Sequence, residues 1–158
     1  MSRYIQIFMR VGKDRFVELT NDPISAFPTE SIGLKIPEGS LSALSLEEVR
    51  RALTNLKTYE LSLSSKIESF ESLIKKLGNW NNTMDEKIGY LEEYNDHIED
   101  CREEIESVKV LTFLFGFCEN FYLIRKYSGD DEYYSNIGLY IGIDVGYEVE
   151  VNDNYMES

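Results

Sequence analysis

The hydrophobic and polar positions of the N-terminal segment alternate over residues 4–11. That period of two is typical of a β-strand. Gly12 begins a short turn, from which residues 15–20 can return as a second strand. Residues 21–44 contain all three prolines of the chain and predict an irregular connection, in which a short strand over 32–36 is one alternative.

From Ser45 the spacing of the apolar residues changes to that of a helix. Ser45 and Glu48 have the spacing of a capping box, in which the hydroxyl and the carboxylate each accept a hydrogen bond from a backbone N–H that the helix leaves unpaired. Two heptad series then predict a coiled-coil helix over 46–77, with Gly78 just beyond its C-terminus. Only Glu60 interrupts this apolar seam, which consists of Leu46, Val49, Leu53, Leu56, Glu60, Leu63, Ile67, Phe70, Ile74 and Leu77.

A second helix follows a short turn, where Thr83 and Glu86 repeat the capping-box spacing. A short connection between two long helices makes them antiparallel, so we expect a helical hairpin with Leu77 opposite Met84. The seam of the second helix is predicted to consist of Met84, Ile88, Leu91, Tyr94, Ile98, Cys101, Ile105 and Val108.

Residues 109–127 are rich in apolar side chains and admit two interpretations. Their spacing favours a continuation of the second helix, buried nearly all round, with Gly116 as a potential kink. Two buried strands broken near Gly116 are the alternative. Farther on, residues 137–143 predict a strand, 147–151 a last edge strand, and 152–158 a frayed acidic tail.

Together these elements predict a single α+β domain over residues 1–158. Residues 1–44 supply the N-terminal β-hairpin and the irregular connection, 45–127 the helical hairpin, and 128–158 the C-terminal strands and acidic tail. We expect a small antiparallel sheet from both chain termini, with the long antiparallel coiled-coil hairpin inserted between them. Because a two-helix seam leaves the flanks of both helices exposed, we also expect a homo-oligomer, most simply a dimer.

Composition narrows the classes of function. The 158 residues contain 16 Lys+Arg and 29 Asp+Glu, a formal net charge of −13, so direct binding of nucleic acid is not expected. Two cysteines and one histidine leave little material for a metal site, and we expect neither a metal nor another cofactor. The N-terminus has no apolar run of signal-peptide length, and the longest apolar run, 110–118, is too short to cross a bilayer. We therefore expect a cytoplasmic protein that does not enter a membrane.

The candidate chemistry does not favour an enzyme. The chain contains no nucleophile elbow, phosphate-binding loop, HExxH or CxxC motif. His97 and Cys101 lie four residues apart, a spacing that could bring two ligands to one metal ion. Cys101 falls on the predicted apolar seam, however, where a cysteine is a small core residue. We expect a protein without catalytic or metal-binding residues.

The negative charge is concentrated in the second half of the chain. Residues 1–80 have a net charge of +1, whereas residues 81–158 have −14. Acidic residues recur at spacings of three and four on one face of the second helix, and the facing part of the first helix, residues 55–69, has no net charge to neutralise them. This acidic ridge consists of Glu92, Asp96, Glu99, Glu103 and Glu106.

Two interpretations of the acidic ridge stay open: a solvated face that keeps the hairpin soluble, or a surface for a basic protein. Carboxylates one helical turn apart repeat about every 6 Å, comparable with the phosphates of a nucleic-acid strand. In the second interpretation the chain is a non-enzymatic binding protein that acts by occupying its partner. A phage-type inhibitor of a host nucleic-acid-binding or defence protein, a viral accessory protein in the host cytoplasm, would work in this way.

Two other functions are alternatives. A small anionic, nucleotide-like ligand could be sequestered by basic and aromatic residues of the N-terminal hairpin. A purely structural oligomer is the second alternative. The candidate ligand-binding residues are Arg3, Tyr4, Phe8, Arg10, Lys13 and Arg15.

Overall fold

A five-stranded antiparallel sheet and a long helical hairpin make up the fold, so the predicted α+β class is confirmed. The computed structural model describes residues 3–13, 15–21, 24–25, 29–127 and 138–144. The predicted edge strand over 147–151 and the acidic tail over 152–158 lie outside the described residues. The strands are β1 (Tyr4–Gly12), β2 (Arg15–Glu18), β3 (Ile24–Ser25), β4 (Leu41–Leu44) and β5 (Gly138–Asp144), and the helices are α1 (Leu46–Lys76) and α2 (Met84–Tyr127).

Both chain ends contribute to the sheet, in the order β2-β1-β5-β4. The ladder between β1 and β5 is antiparallel and runs from Tyr4 opposite Asp144 to Arg10 opposite Gly138. On its other edge, β1 pairs with β2 near the predicted hairpin turn and with the two-residue β3 at Tyr4 and Ile5. The N-terminal hairpin and the C-terminal strand are therefore joined as predicted.

The alternative prediction of a short strand over residues 32–36 is wrong. Ile32 belongs to a 3₁₀ turn, Thr29–Ile32, and residues 34–37 are irregular, although Ile32 and Leu34 are buried. The strand of this region is β4, which pairs with β5 in antiparallel register. A free edge of β5 provides the hydrogen-bonding partners for β4, and that edge exists only once the C-terminal strand has joined the sheet.

Both helices begin at the predicted caps. The Ser45 hydroxyl accepts from the backbone N–H of Glu48, and the Glu48 carboxylate accepts from the backbone N–H of Ser45. At the second cap the Thr83 hydroxyl accepts from the Glu86 N–H, whereas the Glu86 carboxylate accepts from the side chains of Thr83 and Asn82. These hydrogen bonds lower the pKa of Glu86.

Residues 109–127 continue α2 without interruption through Gly116 to Tyr127, so the helical interpretation is confirmed and the two-strand alternative is wrong. The prediction that this segment is buried nearly all round is also wrong. Phe113 is 75% exposed and Ile124 is 62% exposed, because the sheet and α1 cover only one side of this part of α2.

The hairpin has a different register from the predicted one. Leu77 is buried, but Met84 is 71% exposed and does not face it. Phe70, expected opposite Leu91, stacks instead on His97 with ring centroids 4.9 Å apart. A second 3₁₀ turn, Leu77–Asn79, followed by the extended Trp80, forms the connection between the helices.

The core lies between one face of the sheet and the half of the hairpin nearest to it. Phe115 and Leu56 are among its fully buried side chains, packed with isoleucines of β1 and β5. Toward the tip the burial of α2 is sparse, and the predicted seam residues Met84, Ile88 and Leu91 are exposed. The hairpin therefore projects from the core with much of its surface open.

Candidate interaction surface on the second helix

All five residues of the acidic ridge lie on α2 and are exposed. Their spacings of four, three, four and three place them on one side of a helix with 3.6 residues per turn. The seam residues Ile98 and Cys101 are buried on the other side. The structure therefore brings the predicted ridge residues together as one continuous surface.

Few cations approach the acidic ridge. The Arg102 guanidinium lies 3.9 Å from the Glu99 carboxylate, and the Lys109 ammonium lies 3.7 Å from that of Glu106. Both are exposed pairs on one helix, and such pairs are worth only tenths of a kcal/mol. Among the described residues, Glu92, Asp96 and Glu103 have no side-chain ion pair. Most of the ridge charge is therefore uncompensated within the described chain.

A neighbouring acid, Glu104, has a structural role instead. It points toward α1, where its carboxylate accepts a hydrogen bond of 2.7 Å from the Tyr59 hydroxyl. Burial, together with this carboxylate, raises the pKa of Tyr59 well above its ordinary value. Glu104 is thus separated in function from the ridge residues on either side of it.

An apolar stripe continues along α2 beyond the acidic ridge. Phe113 is the most exposed of its side chains, and the others are between about half and two thirds exposed. Sequence reasoning missed this surface because it expected residues 109–127 to be covered all round. Helical spacing groups the residues of the stripe on one side of α2 but does not indicate that this side is exposed. The stripe consists of Val110, Phe113, Phe117 and Ile124.

A groove joins the two surfaces where α2 passes the sheet. It has a volume of about 410 Å³, and Glu106 of the acidic ridge and Phe113 of the apolar stripe both line it. Its opposite wall comes from the segment that follows β2. The lining residues are Leu19, Thr20, Asn21, Ile24, Glu106, Ser107, Val110, Phe113 and Leu114.

Two of the basic candidates on the N-terminal hairpin already have partners among the described residues. Arg3 forms an ion pair of 2.8 Å with Glu38. Arg10 donates to the backbone carbonyls of Gly12 and Lys13, 3.0 and 2.6 Å away, and so holds the hairpin turn.

Among the described residues, the other candidates on this hairpin lie at separate positions. Phe8 is buried against Phe16 in a small cluster on the second face of the sheet. Tyr4 lies six residues before Arg10 on β1, about 20 Å away along an extended strand. Arg15 lies at the start of β2, opposite Gly12.

The possible metal ligands His97 and Cys101 are used in packing. The His97 ring stacks on Phe70, and its Nε2 lies 3.7 Å from the Glu93 carboxylate. Cys101 is buried in the core between the helices. Within the described ranges, no group of three or more His, Cys, Asp or Glu side chains is arranged to hold a metal ion.

One stretch of α2 meets the length and composition of a membrane span. The candidate helix is Met84–Arg125, and 28% of its most apolar 18-residue window is buried inside the protein. Core helices of water-soluble proteins meet the same criterion, so this finding does not assign the helix to a membrane.

Comparisons of the chain with protein-family models, curated proteins and solved structures found no match.

Proposed function

We propose that the protein is a non-enzymatic binding protein that acts by occupying a basic surface of another protein with its acidic ridge. The observation that carries this proposal is the exposed, largely unpaired row of carboxylates on one side of α2. Adjacent like charges on a helix destabilise it by tenths of a kcal/mol per pair. A basic partner would remove that repulsion and would be attracted from a distance by the same field.

A nucleic-acid-binding protein is the proposed class of partner. Its cleft is built to hold a row of phosphates, and the ridge offers carboxylates about one helical turn, up to ~6 Å, from one another. By filling the cleft the ridge would exclude nucleic acid, without any bond being made or broken. A phage-type inhibitor of a host defence protein, acting in the host cytoplasm, is the biological setting that this proposal favours.

The small-ligand alternative has less support from the geometry. Of its six residues, Phe8 is in the core, Arg3 is paired with Glu38, and Arg10 is engaged at the turn. A nucleotide-like ligand would need those groups to converge on one pocket.

The test compares two variants that differ from the natural chain by the same charge. In the ridge variant, Glu92→Gln, Asp96→Asn, Glu99→Gln and Glu103→Gln neutralise the acidic ridge. In the control variant, Glu30→Gln, Glu47→Gln, Glu68→Gln and Asp85→Asn neutralise four exposed carboxylates elsewhere. Each protein is used to capture partners from nuclease-treated lysate, and each captured protein is then purified.

The purified partner is assayed for binding of a labelled oligonucleotide with and without the three proteins. We expect the natural chain and the control variant to displace the oligonucleotide, with an effect that weakens as salt is raised. The ridge variant should not displace it. Equal displacement by the ridge variant would show that the acidic ridge does not make the contact.

A further inference from the structure

The acidic ridge and the apolar stripe occupy the same side of α2. Eighteen residues equal five turns of an α-helix, so positions 18 apart point in the same direction, ~27 Å from each other along the axis. Three ridge residues have exposed apolar counterparts at this distance: Glu92 and Val110, Glu99 and Phe117, Glu106 and Ile124. One side of a single helix is therefore acidic along 92–106 and apolar along 110–124.

The two parts meet at the groove beside the sheet. Glu106 lines it at one end, and Val110 and Phe113 line it from the same helix, facing Leu19 and Ile24. An apolar side chain that enters this groove would lie within reach of the last carboxylate of the ridge. The surface is thus continuous rather than two separate patches.

We infer that the partner presents a helical segment in two blocks, a basic stretch that lies on the acidic ridge and an adjoining apolar stretch that lies on the apolar stripe. This inference rests on the proposed function and specifies the chemistry of its partner. Lys and Arg side chains would pair with the exposed carboxylates, and apolar side chains would cover Phe113 and Phe117 and enter the groove. Aromatic anchors that lose water in this way contribute most of the energy in many interfaces.

Charge complementarity favours such a segment over a second copy of the chain. A second copy could cover the apolar stripe, but it would bring a further net charge of −13 toward the acidic ridge. A two-block segment satisfies both halves of the face at once. A lipid surface would likewise leave the carboxylates without partners.

Three synthetic helical peptides of equal length serve as probes. In the first, one side carries lysines over one half and leucines over the other. The second has the same composition with the lysines and leucines interleaved, and the third has lysines in both halves. Binding is measured by isothermal titration against the natural chain, the ridge variant and a stripe variant with Phe113→Ser and Phe117→Ser.

We expect the two-block peptide to bind at least about tenfold more tightly than the interleaved or all-lysine peptide. The stripe variant should lose that advantage while it still binds the all-lysine peptide. Circular dichroism shows whether the variants keep their helix content, and Phe113→Ser alone, at the most exposed position, serves if the double variant does not fold.

Other outcomes overturn the inference in distinguishable ways. Equal affinity for all three peptides would exclude the two-block segment but leave the acidic ridge as a binding surface. If the ridge variant binds the peptides as tightly as the natural chain does, the proposed function itself is contradicted. A dimer in sedimentation that the stripe variant abolishes would assign the stripe to a second copy, and stripe-dependent binding to phosphatidylcholine vesicles would assign it to a membrane surface.

Discussion

The Tyr59 hydroxyl donates a 2.7 Å hydrogen bond to the Glu104 carboxylate and so connects α1 to α2. Buried seam residues flank this contact on both helices, Leu56 and Leu63 on α1 and Cys101 and Val108 on α2. It therefore helps to hold the two helices in the observed register. Glu104 therefore makes a contact within the hairpin, whereas the residues of the acidic ridge are exposed.

Replacing Tyr59→Phe removes this hydrogen bond but keeps the ring. We expect the free energy of unfolding to fall by about 1–2 kcal/mol, because a bond to a charged acceptor in a partly buried site is lost. Urea denaturation followed by circular dichroism measures the change. Tyr90→Phe is the matched control, since Tyr90 is exposed on the same hairpin. Equal stability of the two variants would contradict the structural role given to Tyr59.

Tyr122 closes the end of the ladder between β4 and β5. Its hydroxyl donates to the Leu44 carbonyl and accepts from the Leu139 N–H, which are opposite residues in the two strands. Tyr122→Phe leaves these two backbone groups without their hydrogen-bond partner. We therefore expect the free energy of unfolding to fall by about 2 kcal/mol. Hydrogen exchange should show faster exchange of the Leu139 amide, while amides in the middle of the β1–β5 ladder change less. Unchanged exchange at Leu139 would disprove the link.

Gly33 is needed for its backbone conformation and for the space above it. Its φ is +79°, and a Cβ there would lie 2.7 Å from Cδ of Arg51 and 2.9 Å from Nδ2 of Asn55. Gly39, with φ +76°, has no heavy atom within 4 Å of such a Cβ and provides the control. We expect Gly39→Ala to cost about 1 kcal/mol from backbone strain alone. Gly33→Ala should lower the free energy of unfolding by more, because its Cβ would also crowd Arg51 and Asn55. If urea denaturation gives equal losses for the two variants, the Arg51 and Asn55 side chains move aside without an energetic cost.

Alkaline pH should destabilise the protein through Cys118. Burial raises the pKa of this thiol to about 12 from an ordinary value of 9.0. The unfolded chain therefore loses the thiol proton at a lower pH than the folded chain, and stability that is complete below pH 9 declines as pH rises toward 12. Cys118→Ala should make the decline between these values less steep, whatever its effect at neutral pH. An unchanged slope in urea denaturation across this range would contradict the prediction.

The acidic ridge should reduce the stability of the free protein. Glu92 and Asp96, and Glu99 and Glu103, are like charges four residues apart, and each such pair costs a few tenths of a kcal/mol. We expect the ridge variant to be more stable than the natural chain by about 0.5–1 kcal/mol at low salt, with a smaller difference at high salt.

The control variant should not gain stability, because Glu47 and Asp85 lie in the first turns of α1 and α2, where negative charge is favourable. Thermal and urea denaturation at two salt concentrations measure all three proteins. Equal gains in both variants would mean that net charge, rather than the ridge, sets the repulsion.

The acidic ridge could be predicted because it depends on one helix. Once residues 84–108 are helical, the spacing of Glu92, Asp96 and Glu99 places them on one side. The sequence also predicted that the facing part of α1 would not neutralise the acidic ridge, whereas the structure was needed to show which of its carboxylates have partners. Pairing depends on which part of α1 lies opposite, and the observed register differs from the predicted one.

The apolar stripe could not be predicted in the same way. Phe113 and Phe115 are both apolar phenylalanines two residues apart, yet the first is 75% exposed and the second is fully buried. Their difference comes from the side of α2 that the sheet covers, which no local pattern specifies. An exposed apolar side chain and a buried one look alike until the neighbours are known.

Local signals in the sequence were enough to determine the first helix, the second helix up to about residue 108, and the first strand. Heptads and caps such as Ser45 with Glu48 act over a few residues, and the alternation over 4–11 does the same for β1. Tertiary structure alone decided the place of β4, the register of the hairpin and the side of residues 109–127 that stays uncovered. Each of these depends on segments far apart in the chain, because strand pairing and burial are set by whichever surfaces meet when the chain folds.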